Sequence, residues 1–178
     1  MTDISISERL RTLRLVLGDQ LNHAHSWYAE TDPEVLYLVA ELPQETNYVR
    51  HHVQKLCAFF AAMQAFAGEL ERTGHRVMHL TLDDAVAYAD LPELIGSLCE
   101  RFEVERFEYQ LPDEFRLREQ LRSFELPAST SIHECDSEHF LLPEDDFGRW
   151  LKPGRHKRME SFYRRMRKRL GVLMDGDE

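Results

Sequence analysis

Apolar and polar positions along this chain repeat with two different periods. Five short runs are apolar or alternate as strands do: 13–18 (LRLVLG), 34–40 (EVLYLVA), 75–82 (HRVMHLTL), 105–111 (ERFEYQL) and 130–136 (TSIHECD). The second is apolar nearly throughout, as suits a strand covered on both faces. Between the runs the period lengthens. From Tyr48 to Thr73 the residues Val49, Val53, Leu56, Phe59, Phe60, Met63, Phe66 and Leu70 recur every three or four positions, which predicts one long helix. Thr46 or Asn47 is placed to cap its start, and Gly74 stands where it should stop. Residues 90–102 and 113–124 predict two further helices. Strands alternating with helices imply parallel pairing and right-handed crossovers. The expected architecture is an α/β fold, a five-stranded parallel, doubly wound sheet of the Rossmann or flavodoxin type. Such sheets bind ligands outside the carboxyl ends of their strands. Those ends are residues 18–22, 41–48, 82–84 and 110–116.

The final segment breaks this pattern. After a Pro-Gly break, Met159, Phe162, Tyr163, Met166, Leu170 and Leu173 share one helical stripe, while Arg164, Arg165, Arg167, Lys168 and Arg169 crowd the other side. Charge divides the chain at the same place. Residues 1–148 hold 28 of the 32 acidic and 12 of the 22 basic residues, and residues 149–178 hold the rest. An acidic α/β body, 1–148, followed by a basic helical linker, 149–178, is the expected organisation. The body lacks the basic footprint that nucleic-acid binding needs. So dense a run of cations implies an acidic neighbour: the body's own surface, a further domain or DNA.

No run reaches the ~20 apolar residues of a membrane helix, and the N-terminus has no apolar signal region. Cys57, Cys99 and Cys135 are scattered without a CxxC pair and read as reduced thiols of a cytoplasmic protein. The segment after the first run, LGDQLN, has one glycine and no GxGxxG, and no GxxxxGK[ST] loop, GxSxG elbow or HExxH occurs. An ordinary dinucleotide enzyme, P-loop nucleotidase, serine hydrolase or zincin is thereby disfavoured. His51 and His52 are adjacent and ill-placed to share a metal, and His23 and His25 lack an evident third ligand.

The polar crowding of residues 41–52 (ELPQETNYVRHH) lies at a strand end. Glu45 and Tyr48 are three apart, so they face the same way at a helix start. A carboxylate beside a phenol suits a planar heteroaromatic ligand, the ring stacking and the carboxylate accepting a ring N–H or a sugar hydroxyl. They equally serve as a first-turn acid and the first aromatic of a core stripe. Gly18, Asp19 and Gln20, Glu41, and Glu114 of the 110–116 loop are added as site candidates from their strand-end positions. Asp19 and Gln20 also read as a turn and cap. An acid/base enzyme using Glu45 would need a companion nucleophile or cofactor, and none is evident.

Taken together, LRLVLGDQLN, the block ELPQETNYVRHHVQK, QLPDEFRLREQL and RMESFYRRMRKRLGVLM resemble the N-terminal part of the deoxyribodipyrimidine photolyase-related family, the iron-sulfur bacterial cryptochromes and prokaryotic (6-4) photolyases. The resemblance implies an antenna domain that holds 6,7-dimethyl-8-ribityllumazine, with Glu45 and Tyr48 lining its pocket. It also implies a parent flavoprotein, a lyase, that repairs DNA (6-4) photoproducts with light or senses blue light. FAD, a [4Fe-4S] cluster and most of the surface for damaged DNA would belong to a C-terminal helical domain, which the linker would enter. The alternative reading is a free-standing flavodoxin-like module whose basic helix docks a protein or nucleic acid.

Overall fold

The computed structural model describes residues 10–174. The N-terminal segment on which the signal-peptide reading rests, and the acidic tail from residue 175, lie outside the described residues. All five expected strands are present: β1 Thr12–Val16, β2 Val35–Ala40, β3 Arg76–Leu80, β4 Arg106–Gln110 and β5 Ser131–Cys135. They pair in parallel in the order β3-β2-β1-β4-β5. The chain moves outward from β1 to β3, then crosses back to β4, so strand order reverses between β1 and β4. That is the topological switch point of a doubly wound sheet.

Seven helices are present among the described residues: α1 Pro43–Asn47, α2 Val53–Arg72, α3 Leu82–Ala85, α4 Leu91–Arg101, α5 Phe115–Ser123, α6 Glu144–Trp150 and α7 Met159–Leu170. Alternate residues of β2 serve opposite faces of the sheet. Val35, Tyr37 and Val39 pack with Met63, Phe66 and Leu70 of α2, whereas Leu36 and Leu38 pack with Leu94, Ile95 and Leu98 of α4 and Leu117 and Leu121 of α5. Burial on both faces explains the continuous apolar run of this strand.

The long helix begins later than its periodicity suggests. Pro43 opens the separate short helix α1 directly after β2, with Pro at its first position. Thr46 Oγ1 donates back to the Pro43 carbonyl at 3.0 Å, so it is not available as a cap for α2. The chain then extends, and His52 caps α2 by accepting from Gln54 N at 3.2 Å. Neither Thr46 nor Asn47 is the cap. Tyr48 and Val49 therefore leave the helical stripe. Only the second half of α2 reaches the core, through Met63, Phe66, Ala67 and Leu70, while Val49, Val53 and Phe59 are exposed. The other end is as expected. Gly74 has φ +93°. Its N–H donates to Glu71 O and the His75 N–H to Leu70 O, each at 3.0 Å, which is a Schellman closure.

The described residues fall into two compact units that divide between His139 and Phe140. The first contains the sheet and α1 to α5. The second contains α6 and α7, and the change of composition at residue 148 falls inside α6. Within that unit Phe162 of α7 packs against Trp150 (centroids 4.9 Å apart) and Phe147 (6.1 Å) of α6. Arg169 donates to Asp146 at 2.9 Å. Of the rest of the apolar stripe, Met166 is half-buried, and Met159, Tyr163, Leu170 and Leu173 stay exposed. Among the described residues no helix is long and apolar enough to cross a membrane.

Candidate functional site

Parallel strands end together at one edge of the sheet, and the loops that leave them must diverge to reach helices on opposite faces. Here the divergence opens a cavity of about 230 Å³ beside β1 and β2. Its floor is the end of β1 and the start of its loop, Leu15 to Asp19. One wall is apolar, formed by Leu56, Phe59 and Phe60 from the first half of α2, with Met63 just beyond them. This explains why that half carries apolar residues although it does not reach the core. The polar lining is Glu41, Glu45 and Tyr48 from the segment after β2 and Glu114 from the loop after β4, with Leu42, Leu91 and Leu117 beside them.

The polar side is braced by a residue whose importance was hidden in its sequence. Arg116, in the first turn of α5, donates from Nε to Glu114 Oε1 at 2.9 Å and from Nη2 to Glu114 Oε2 at 3.1 Å. The same Nη2 donates to Glu45 Oε2 at 2.8 Å. The guanidinium also lies over the Tyr48 ring, 4.4 Å from its centroid. One cation thus ties two carboxylates from different loops and covers one face of the phenol. Glu45 Oε1 accepts from Gln44 Nε2 at 2.8 Å. Gln44 in turn forms a reciprocal amide pair with Gln120 of α5 (2.8 and 3.1 Å) and accepts from Leu91 N at the start of α4. The loop after β2 is therefore fixed to both helices of the far face. Nothing in the helical periodicity marks Arg116 or Gln44. The only available signal was their place in strand-end loops.

The candidates from the sequence separate into two kinds. Gly18, Asp19, Glu41, Glu45, Tyr48 and Glu114 all line the cavity. Gln20 does not. It is 1% exposed and stitches the switch point, accepting from Leu17 N at 3.1 Å and donating to Gln110 O at 3.1 Å. Its turn-and-cap role is the one the geometry supports. Glu41 has structural partners too: it accepts from Leu82 N at 3.0 Å, and His79 Nε2 lies 3.3 Å from its other oxygen. A Cβ on Gly18 would lie 3.0 Å from the Met63 sulfur, so the bare backbone lets α2 close over β1. The strand end at 82–84 contributes no lining residue. Asp84 is used up in a capping box with Thr81 at the start of α3.

Partial desolvation raises the Asp19 carboxyl above the ordinary range, its own backbone N–H opposes this, the charges of Asp113 and Glu114 add to the rise and that of His139 offsets part of it. Two of the three cysteines have thiols held protonated by their surroundings. Burial beside Glu100 pushes the Cys99 thiol up to about 12, and burial also raises Cys135. Cys57, Cys99 and Cys135 lie on α2, α4 and β5, and no group of three or more metal-ligating side chains occurs among the described residues.

Residues 14–178 match the family model described as deoxyribodipyrimidine photo-lyase-related protein. The chain belongs to that family. It is 30% identical over 167 residues to a (6-4) photolyase of Agrobacterium fabrum, covering 93% of this chain and 33% of that relative. The chain thus spans about a third of the length of the curated photolyase it matches. In this photolyase-related chain the cavity is built from the same stretches that carry the resemblance: the GDQL turn, the block around Glu45 and Tyr48, and the loop before α5.

Proposed function

We propose that this chain is the antenna-binding portion of a photolyase- or cryptochrome-like flavoprotein. The observation that carries the reading is the cavity at the carboxyl ends of β1 and β2, with Glu45 and Tyr48 held on its polar side by Arg116. The donor set fits 6,7-dimethyl-8-ribityllumazine. A lumazine offers a flat heteroaromatic face, a ring N–H and a chain of hydroxyls, and the cavity offers an aromatic and thioether wall opposite carboxylate acceptors. Glu45 uses one contact on each oxygen, which leaves lone pairs to accept from a ligand. Tyr48 is 48% exposed with Arg116 over one face, so its remaining surface is open to stacking.

The cavity binds without reacting. Glu45 and Glu114 are tied to Arg116 and Glu41 to a backbone N–H, and no activated nucleophile lines it. When bound, a lumazine absorbs light and passes the excitation to a flavin. The residues of this chain hold it, orient it and keep water from its apolar side. The family assignment supports a parent that carries FAD and a [4Fe-4S] cluster in a helical domain and acts on DNA (6-4) photoproducts or signals blue light. The second unit would lead into that domain, its arginines facing the domain or DNA phosphates.

The test is a fluorescence titration of the folded chain with 6,7-dimethyl-8-ribityllumazine. Saturable binding is expected. Tyr48→Ala should weaken it about threefold to tenfold, the worth of one stacked ring, and Glu45→Ala about tenfold or more. Binding that neither substitution weakens would place the ligand elsewhere.

A further inference from the structure

Sheets with this strand order commonly hold phosphorylated ligands, and they do so with one device. The first strand runs into a glycine-rich turn and then a helix, whose N-terminal N–H groups cradle the phosphate. This chain keeps the strand order and lacks the device. Between β1 and β2 only a three-residue 3-10 turn occurs, Ser26–Tyr28, and its first two N–H groups are taken: Glu138 accepts from Ser26 N and the His25 side chain accepts from Trp27 N. The residue beside the cavity in this loop is an acid, Asp19.

Two other strand ends bring further acids to the cavity. Glu45 comes from the segment after β2 and Glu114 from the loop after β4, so with Asp19 the cavity is lined by acids from three different strand ends. Glu41 adds a fourth, deeper and 7% exposed. Two cations are near. Arg116 is engaged by Glu45 and Glu114 together. Lys55 lines the α2 side, its ammonium 5.6 Å from the centre of the Phe59 ring. An entering phosphate would have to compete for Arg116 with two carboxylates already in place, beside a third at Asp19.

We propose that this cavity selects phosphate-free, polyhydroxylated heteroaromatics and rejects their phosphorylated counterparts, through the carboxylates of Asp19, Glu45 and Glu114 around its mouth. The proposal rests on the binding role given above and adds to it a rule of selection. Hydroxyls suit the mouth because they donate to carboxylates. A phosphate dianion has nothing to donate, and it meets like charge from three sides. Ribityl chromophores exist in both forms, so the rule decides which member of a mixed pool is loaded.

Riboflavin and its 5′-phosphate, FMN, differ only at this group and serve as the probe pair beside the ribityllumazine. Titrations on the full chain at low ionic strength are expected to show riboflavin binding at least about tenfold tighter than FMN. Raising the salt from about 0.02 to 0.5 M should narrow that ratio, because it screens charge and leaves shape unchanged. Glu114→Gln and Asp19→Asn, with folding checked by circular dichroism, should each narrow the ratio at low salt. Equal or tighter binding of FMN would overturn the proposal and leave the antenna reading standing if the lumazine still binds. A preference for riboflavin that neither salt nor the two substitutions move would also overturn it, since exclusion would then be steric. Failure of all three compounds to bind would overturn the antenna reading as well.

Discussion

At the scale of single residues, the chain shows how little separates a site residue from a structural one. Asp19 and Gln20 are neighbours in one loop, yet Asp19 lines the cavity while Gln20 turns inward to tie β1 to β4. The position of Asp19 has a cost that can be measured. Burial, with Asp113 and Glu114 nearby, holds its folded pKa above the ordinary carboxylate value. The folded chain therefore binds this proton more tightly than the unfolded chain does. The contribution favours folding at pH below the unfolded value and is lost as pH rises through the folded one. Asp19→Asn removes the charge, so it should raise the melting temperature at pH 7 to 8. That gain should fade as the pH falls below the usual aspartate range. A gain that is the same at pH 4 and pH 8 would mean that the substitution acts by something other than charge.

At the scale of elements, the junction between α2 and β3 depends on one backbone conformation. Gly74 adopts φ +93°, where a Cβ meets backbone atoms and costs about 1–2 kcal/mol. Gly74→Ala should therefore lower the melting temperature by about 2–8 °C for a chain of this size, without changing ligand affinity, because Gly74 is not among the lining residues. An unchanged melting temperature would show that the Schellman turn relaxes at no cost. This glycine was legible in the sequence, as were all five strands, because each follows from a local rule of period or punctuation. The start of α2 was not. The apolar spacing of Val49, Val53 and Phe59 is genuine helix-like spacing, but here it serves a cavity wall and a surface instead of the core, and periodicity alone cannot tell those apart. Arg14 escaped for a related reason. Within the apolar run of β1 it donates to Glu108 and Tyr37 at 2.8 Å each, and pairings across that much sequence leave no local mark. The brace formed by Arg116 is of the same kind: its partner Glu45 is 71 positions away.

At the scale of the whole molecule, binding and connection occupy different stretches of chain. Every residue that lines the cavity lies between Leu15 and Leu117, and the first compact unit continues to His139. The second unit has its own small aromatic core in Phe147, Trp150 and Phe162, a run of arginines on α7, and apolar residues that its own packing does not cover. This division of labour predicts a clean separation in a truncated protein. A chain that stops at His139 should fold and bind the ribityllumazine with an affinity within about threefold of the full chain, a difference of under about 0.7 kcal/mol. It should also be less prone to self-association, since the exposed Met159, Tyr163 and Leu173 are gone. Circular dichroism, the same fluorescence titration and sedimentation at two concentrations would measure all three properties. If the truncated chain folds but loses affinity by tenfold or more, the second unit takes part in building the site, and the antenna cavity is then a property of the joined units instead of the sheet alone.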